Sequence, residues 1–186
     1  MKTCLVLIDI QNDYFPGGKM ELENALEASL RAQEALQFFR KRNLPLVHIQ
    51  HVSTRPGAAF FLPDTDGAAI HENVRPLPHE TVFQKHFPNS FRDTPLLRHL
   101  KDEMIGRLAI AGMMTSMCVD ATVRAAFDYG FENIILHDAM ATRNLAFNGE
   151  LIPARHVHGS FLAALGSVYG AVKSVGDFLP EYEATP

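Results

Sequence analysis

The stretch Ala109-Ile110-Ala111-Gly112-Met113-Met114-Thr115-Ser116-Met117-Cys118-Val119-Asp120 joins an apolar run, closed by a glycine, to a segment of helical character. A nearly continuous apolar run is typical of a parallel strand that is buried on both faces. Cys118 follows just inside the predicted helix, where unpaired N–H groups and the helix dipole favour a thiolate. We therefore take Cys118 as the candidate nucleophile. The alternative is a small core residue, which is the commoner role of a lone cysteine beside a strand.

The alternation of strand and helix extends along the rest of the chain. Apolar, β-branched runs predict strands at residues 5–10, 46–52, 81–83, 107–113, 133–137 and 171–175. Apolar residues at helical spacing predict helices at residues 23–43, 94–101, 115–129 and 153–165. This order predicts an α/β fold: a doubly wound, mostly parallel six-stranded sheet with helices on both faces.

Length and composition favour one compact domain over residues 1–186, because 186 residues with 47% hydrophobic content suffice for a core without disulfides. The net charge of −4 provides no basic surface for nucleic acid. No apolar run is long enough for a membrane span, and no leader peptide is recognisable, so we expect a cytoplasmic protein with no membrane partner. Cys4 and Cys118 are too few for a disulfide framework.

Three reactive side chains follow predicted strands. Asp9 lies at the end of the first strand, Lys85 follows the third, and Cys118 follows the fourth. Because ligands of open parallel sheets bind beyond the carboxyl ends of the strands, we expect these side chains to converge there. The proline-rich connection at residues 53–80 is long for a compact domain and is interpreted as a wall of the site or an oligomer contact.

The three residues lie in the segments LIDIQNDYF (7–15), ETVFQK (80–85) and GMMTSMCV (112–119). In this order and spacing they resemble the isochorismatase-like cysteine hydrolases, which include nicotinamidases and N-carbamoylsarcosine amidohydrolases. The resemblance implies a catalytic triad of Asp9, Lys85 and Cys118. It also implies an oxyanion hole made by the backbone N–H groups of Met114 and Cys118, with a cis peptide bond before Met114.

The implied activity is hydrolysis of a C–N bond in a small amide, carbamoyl or ureido compound through a covalent acyl-enzyme. Asp9 would remove the thiol proton and return it to the leaving nitrogen, while Lys85 stabilises the charged pair. Two alternatives remain. One is vinyl-ether hydrolysis of the isochorismatase type, which needs a proton donor and no thiol. The other is a catalytically silent subunit that serves assembly or binding.

The remaining candidate residues are those that would bind a metal, line the substrate pocket or contact another subunit. Nicotinamidases carry an Asp-x-His metal motif after the second strand, but this chain has HIQHVS at residues 48–53. We therefore expect no metal and no cofactor, with His51 plus His71 or His79 as the alternative ligand set. The candidate residues for an apolar substrate pocket are Phe15, Phe60, Phe61 and Phe91. Gln11 is expected to support Asp9, and the chain is expected to form a homo-oligomer that covers the Phe60-Phe61 pair.

Overall fold

A computed structural model describes residues 1–184, which contain eight strands and five α-helices. The strands are β1 (Thr3–Ile8), β2 (Leu46–His51), β3 (Thr81–Lys85), β4 (Arg107–Met113), β5 (Glu132–Ala141), β6 (Leu145–Phe147), β7 (Glu150–Ile152) and β8 (Ala171–Lys173). Six of them form one parallel sheet in the order β3-β2-β1-β4-β5-β8. The predicted α/β class and the six-stranded parallel sheet are confirmed.

Helices cover both faces of this sheet. They are α1 (Ala25–Lys41), α2 (Leu96–Asp102), α3 (Asp120–Asp128), α4 (Ala154–Val168) and α5 (Val175–Ala184). One apolar core forms between the sheet and helices α1 and α5, and a second forms between the sheet and helices α2, α3 and α4. The central strand β1 is buried along its whole length because it lies between these two cores. None of the helices within residues 1–184 is long and apolar enough to cross a membrane.

The strand order reverses direction between β1 and β4, which are neighbours in the sheet. Gly112 permits their close approach at the carboxyl edge. A Cβ atom at this position would lie 2.0 Å from the Ile8 carbonyl oxygen, and the Gly112 φ of 134° is one that other residues rarely adopt. The ends of β1 and β4 therefore lie side by side at the topological switch point, where α/β proteins bind their ligands.

Three elements, β6, β7 and α5, were not predicted from the sequence. Strands β6 and β7 form a separate antiparallel hairpin, and α5 begins at Val175, where the last predicted strand was expected to end. The hairpin strands are three residues long each, which is too short for a periodic pattern to be recognised. The long connection at residues 53–80 contains two short 3₁₀ turns, Asp66–Ala68 and Glu72–Val74, and the second packs against α1.

Candidate active site

The carboxyl edge of the sheet brings Asp9, Lys85 and Cys118 together. Asp9 directly follows β1, Lys85 is the last residue of β3, and Cys118 lies five residues after β4. Strand β2 separates β3 from β1, so the Lys85 side chain must cross the end of β2 to reach Asp9. The Lys85 ammonium achieves this and lies 2.7 Å from Oδ2 of Asp9.

The Asp9–Lys85 ion pair is removed from water, since the exposed fractions are 0% for Asp9 and 1% for Lys85. Burial raises the pKa of the Asp9 carboxyl, although the positive charge of Lys85 opposes this effect. Burial also disfavours the charged form of Lys85, but interactions with the negative Asp9 carboxylate and, after it, with Cys118 outweigh this effect and raise the Lys85 pKa. The second carboxylate oxygen, Oδ1 of Asp9, is buried without a hydrogen-bond partner. This oxygen is free to accept a proton.

The backbone of Asp9 has a φ of 50°, in the left-handed region that non-glycine residues seldom occupy. Aspartate tolerates this conformation better than most residues, because its short polar side chain interacts locally. The left-handed turn ends β1 at Ile8 and begins the loop that leads to the 3₁₀ turn Asn12–Tyr14. Such strain is found mainly at functional sites, where the surrounding structure enforces it.

Cys118 lies in a single turn of π-helix, Thr115–Val119, which precedes α3. Its side chain is 5% exposed, and the donor atoms of Asp9, His51 and Cys118 all lie within 4.8 Å of one another. Burial raises the pKa of the Cys118 thiol, and the negative charge of Asp9 adds to this effect more than Lys85 opposes it. Cys118 therefore rests as a thiol, whereas its place near a helix start had suggested a thiolate. An adjacent base is needed to activate it.

The resemblance implies that the backbone N–H groups of Met114 and Cys118 are the oxyanion donors. The peptide bond between Met113 and Met114 is cis. Among the backbone hydrogen bonds formed by loops and turns within residues 1–184, none uses the Met114 N–H as donor. The Cys118 N–H is likewise not a donor in these bonds within residues 1–184, because the carbonyl oxygen of Met114, four residues earlier, accepts from the Met117 and Val119 N–H groups instead. The N–H groups of Met114 and Cys118 both lie close to the thiol along the chain and are available as donors to one substrate oxygen.

Sequence reasoning missed the position of His51 beside the triad. Its Nδ1 lies 3.0 Å from the Lys85 ammonium, because His51 ends β2 and pairs in register with Lys85. Burial, followed by the positive charge of Lys85, lowers the His51 pKa to about 3, so the ring is neutral. The strand order could have revealed this contact, since a lysine that crosses from β3 to β1 must pass the end of β2.

Gln11 supports His51 rather than Asp9, contrary to expectation. Its Oε1 accepts a hydrogen bond of 2.7 Å from the His51 N–H, and its Nε2 donates to the His51 carbonyl oxygen at 2.8 Å.

The possible metal ligands are grouped differently from the set expected from the sequence. The cluster in residues 1–184 that includes His51 consists of Asp9, His51 and Cys118, while His71 and His79 lie outside it. The Lys85 ammonium already binds two members of that cluster, Asp9 and His51.

The four candidate phenylalanines take different positions. Phe61 is 1% exposed and packs edge-on against Tyr14 within this same chain, with Phe60 partly buried beside it. The expectation that a neighbouring subunit must cover this pair was therefore wrong for Phe61, because the chain's own aromatic core covers it. Phe15 stacks on His71 and lines a cavity of about 1000 Å³ between residues 12–19 and 66–76. Phe91 packs on Tyr129 and Phe131, in the core cluster that includes Cys118.

Comparison with known proteins places this chain in one family. The family model described as Isochorismatase domain matches residues 3–151. An uncharacterized isochorismatase family protein of Bacillus subtilis, YddQ, is 48% identical over 179 residues, which cover 96% of this chain and 99% of that protein. A streptothricin hydrolase of Streptomyces noursei is 33% identical over 142 residues, or 76% of this chain and 55% of that protein.

The fold agrees with solved structures as well. A putative isochorismatase hydrolase from Oleispira antarctica superimposes with a TM-score of 0.92 at 45% identity, covering 96% of both chains. The family match spans all three strands whose carboxyl ends carry Asp9, Lys85 and Cys118. The chain therefore belongs to the isochorismatase family and is an enzyme of this hydrolase superfamily.

Proposed function

We propose that the protein hydrolyses a C–N bond of a small amide, carbamoyl or ureido compound, with Cys118 as the nucleophile. The observation that carries this proposal is the buried Asp9–Lys85 ion pair beside the Cys118 thiol, with Oδ1 of Asp9 left unpartnered. A core cysteine has no need of a buried ion pair. Burying two charges is costly, and such pairs often mark functional sites.

In the first half-reaction, Asp9 removes the proton from the Cys118 thiol as Sγ attacks the carbonyl carbon of the substrate. The raised pKa of Asp9 makes it a stronger base than an exposed aspartate, while Lys85 keeps it ionised before attack. The C–S bond forms and the carbonyl electron pair moves onto oxygen. The N–H groups of Met114 and Cys118 are the proposed donors to this oxyanion.

The tetrahedral intermediate then collapses. Protonated Asp9 gives its proton to the leaving nitrogen, the C–N bond breaks, and the amine or ammonia departs. Water attacks the thioester in the second half-reaction, with Asp9 again as the base, and the proton returns to Cys118 when the acid is released. Every proton therefore passes through Asp9, and Lys85 keeps its proton throughout.

A relative's name also supports a hydrolytic reaction: streptothricin hydrolase, at 33% identity, is named as a hydrolase of streptothricin. The isochorismatase-type alternative protonates a carbon atom of a vinyl ether and needs no thiol. The triad favours the cysteine route because Cys118 lies next to both members of the ion pair.

The test is ammonia release by the purified protein across a panel of primary amides, N-carbamoyl and ureido compounds, with isochorismate as a parallel substrate. We expect turnover of at least one C–N substrate and none of isochorismate. Turnover of isochorismate alone would contradict the proposal and favour vinyl-ether hydrolysis. A folded protein inert toward the whole panel would favour the silent subunit.

A further inference from the structure

The Lys85 ammonium has three N–H donors, and each has an acceptor in the structure. The acceptors are Oδ2 of Asp9 at 2.7 Å, Nδ1 of His51 at 3.0 Å and the Phe87 carbonyl oxygen at 3.1 Å. The three acceptors come from the end of β1, the end of β2 and the loop after β3. This arrangement fixes the direction of a side chain that is otherwise long and flexible.

His51 is itself held from both sides of its backbone. The Gln11 side chain accepts a hydrogen bond from the His51 N–H and donates one to the His51 carbonyl oxygen, at 2.7 and 2.8 Å. The same Gln11 amide donates to the Ala68 carbonyl oxygen at 2.8 Å, which ties the end of β2 to the long loop. The position of the imidazole therefore does not depend on a bound substrate.

The imidazole is suited to this place because it is neutral. Burial and the positive charges of Lys85, His86 and Arg55 lower the His51 pKa to about 3. With Lys85 as the donor, Nδ1 carries no proton and the ring proton is on Nε2. A neutral acceptor binds one N–H of Lys85 without competing with Asp9 for the positive charge. A carboxylate in the same place would compete with Asp9.

We propose that His51 is a positioning residue, whose Nδ1 holds the Lys85 ammonium in place beside Asp9 and Cys118. This role rests on the proposed function of the same site, and it concerns a residue outside the triad. The groups that face Lys85 are Asp9 from β1, His51 from β2 and Cys118 from the turn after β4. If His51 cannot accept the hydrogen bond, a buried N–H of Lys85 is left unpaired, which disfavours its charged form.

A shift of the Lys85 ammonium should be visible at Cys118 without any substrate. Lys85 stabilises the Cys118 thiolate, so a variant whose ammonium is no longer held in place should contain less thiolate at a given pH. The measurement is the rate of iodoacetamide alkylation of Cys118 at a fixed pH of about 8, followed by peptide mass spectrometry. This readout distinguishes failure of the positioning role from failure of the proposed amide hydrolysis, which the substrate panel tests separately.

Three substitutions of His51 test whether an acceptor is needed at the position of Nδ1. Asparagine places an acceptor oxygen near the position of Nδ1, glutamine places its amide near Nε2, and leucine supplies no acceptor. We expect His51→Leu and His51→Gln to lower the alkylation rate at this pH about tenfold. We expect the rate of His51→Asn to stay within about twofold of that of the unsubstituted protein. The control is His156→Leu on the exposed side of α4, which should leave the rate unchanged.

Once a substrate is known, kcat of His51→Leu should fall about 10- to 100-fold with KM changed less than about threefold. An unchanged alkylation rate in a folded His51→Leu protein would overturn the proposal. If that variant does not fold, equal rates for His51→Asn and His51→Gln would overturn it. Loss of activity on dialysis against EDTA, restored by Zn²⁺ in the unsubstituted protein only, would instead make His51 a metal ligand.

Discussion

The Lys85 ammonium lies 2.7 Å from the Asp9 carboxylate, although β2 separates their strands in the sheet. The pair is fully buried, so each charge depends on the other for its stability. Without Lys85, only the effect of burial would remain, and it favours the neutral carboxylic acid. In the proposed mechanism, Lys85 thus keeps Asp9 available as a base at neutral pH.

Lys85→Met is therefore expected to lower kcat/KM at pH 7 at least about 10²-fold, because Asp9 becomes protonated in the free enzyme. The sign can be checked from the pH profile. Loss of the positive charge raises the Asp9 pKa further, so the acid limb of kcat/KM moves to higher pH. Lys101→Met on the surface of α2 is the control and should leave the profile unchanged. An unshifted acid limb would contradict the assigned role of Lys85.

Gly112→Ala is expected to disrupt both the fold and the site. Its Cβ atom would lie 2.0 Å from the Ile8 carbonyl oxygen, so the end of β1 and the adjacent Asp9 must move. We expect a loss of at least about 2 kcal/mol in the free energy of unfolding and a large loss of activity. Chemical denaturation measures the first effect. Gly159→Ala in α4, where a Cβ atom meets open space, should be neutral or slightly stabilising.

Glu80 offers a stability prediction away from the site. Burial opposes its ionisation, but hydrogen bonds from Arg40, the Leu77 N–H and His48 outweigh this and lower the Glu80 pKa to about 2. Because the pKa is lower in the folded state, the stabilisation is complete above pH of about 4.5 and disappears as the pH falls toward about 2.

Glu80→Gln should accordingly reduce the free energy of unfolding by about 2 kcal/mol at pH 7, and the difference should shrink as the pH falls below about 4.5. Denaturant titrations at several pH values measure it. Glu34→Gln removes an exposed ion pair with Arg31 and should cost less than about 0.5 kcal/mol at any pH. A constant deficit for Glu80→Gln between pH 7 and pH 3 would contradict the assignment.

Most of the fold could be predicted from the sequence because buried parallel strands are nearly continuous apolar runs. Strand β4 was predicted at its observed limits, Arg107–Met113, and helix α1 within two residues at each end. The hairpin of β6 and β7 could not be recognised, since two three-residue strands carry no period. Helix α5 was missed because Pro180 lies inside it and the apolar residues Val172 and Val175 suggested one continuing strand.

The candidate triad residues could be named from the sequence because each lies in a motif of known type near the end of a recognisable strand. Asp9 directly follows β1, Lys85 ends β3, and Cys118 lies five residues after β4. The contact of His51 with Lys85 could not be predicted in this way, because it depends on the order of the strands in the sheet, with β2 between β3 and β1. The protonation state of Cys118 was also beyond the sequence. It depends on the depth of burial and on the distance to Asp9, which only the folded chain defines.

Self-association remains a prediction, now supported by a different surface. Phe147 and Leu151 on the β6–β7 hairpin are 68% and 67% exposed. Exposed apolar side chains of this size favour contact with another subunit. We expect a dimer or larger species in sedimentation velocity at micromolar concentration, and a shift toward monomer for Phe147→Ser/Leu151→Ser. A monomer of the unsubstituted protein would contradict this expectation.

In the proposed mechanism Cys118, and not Cys4, carries the activity through a covalent intermediate. Cys4 is buried in β1, where burial raises the pKa of its thiol to about 12, and no buried ion pair lies beside it in the described structure. Cys4→Ala should therefore affect stability more than rate, which makes it the matched control.

The most direct test is the rate of ammonia release by Cys118→Ala, compared with Cys4→Ala and the unsubstituted protein on the best substrate of the panel. We predict a loss of at least about 10³-fold for Cys118→Ala, because the acylation pathway is removed, and a change of less than about threefold for Cys4→Ala. Near-native hydrolysis by a folded Cys118→Ala protein would contradict covalent catalysis.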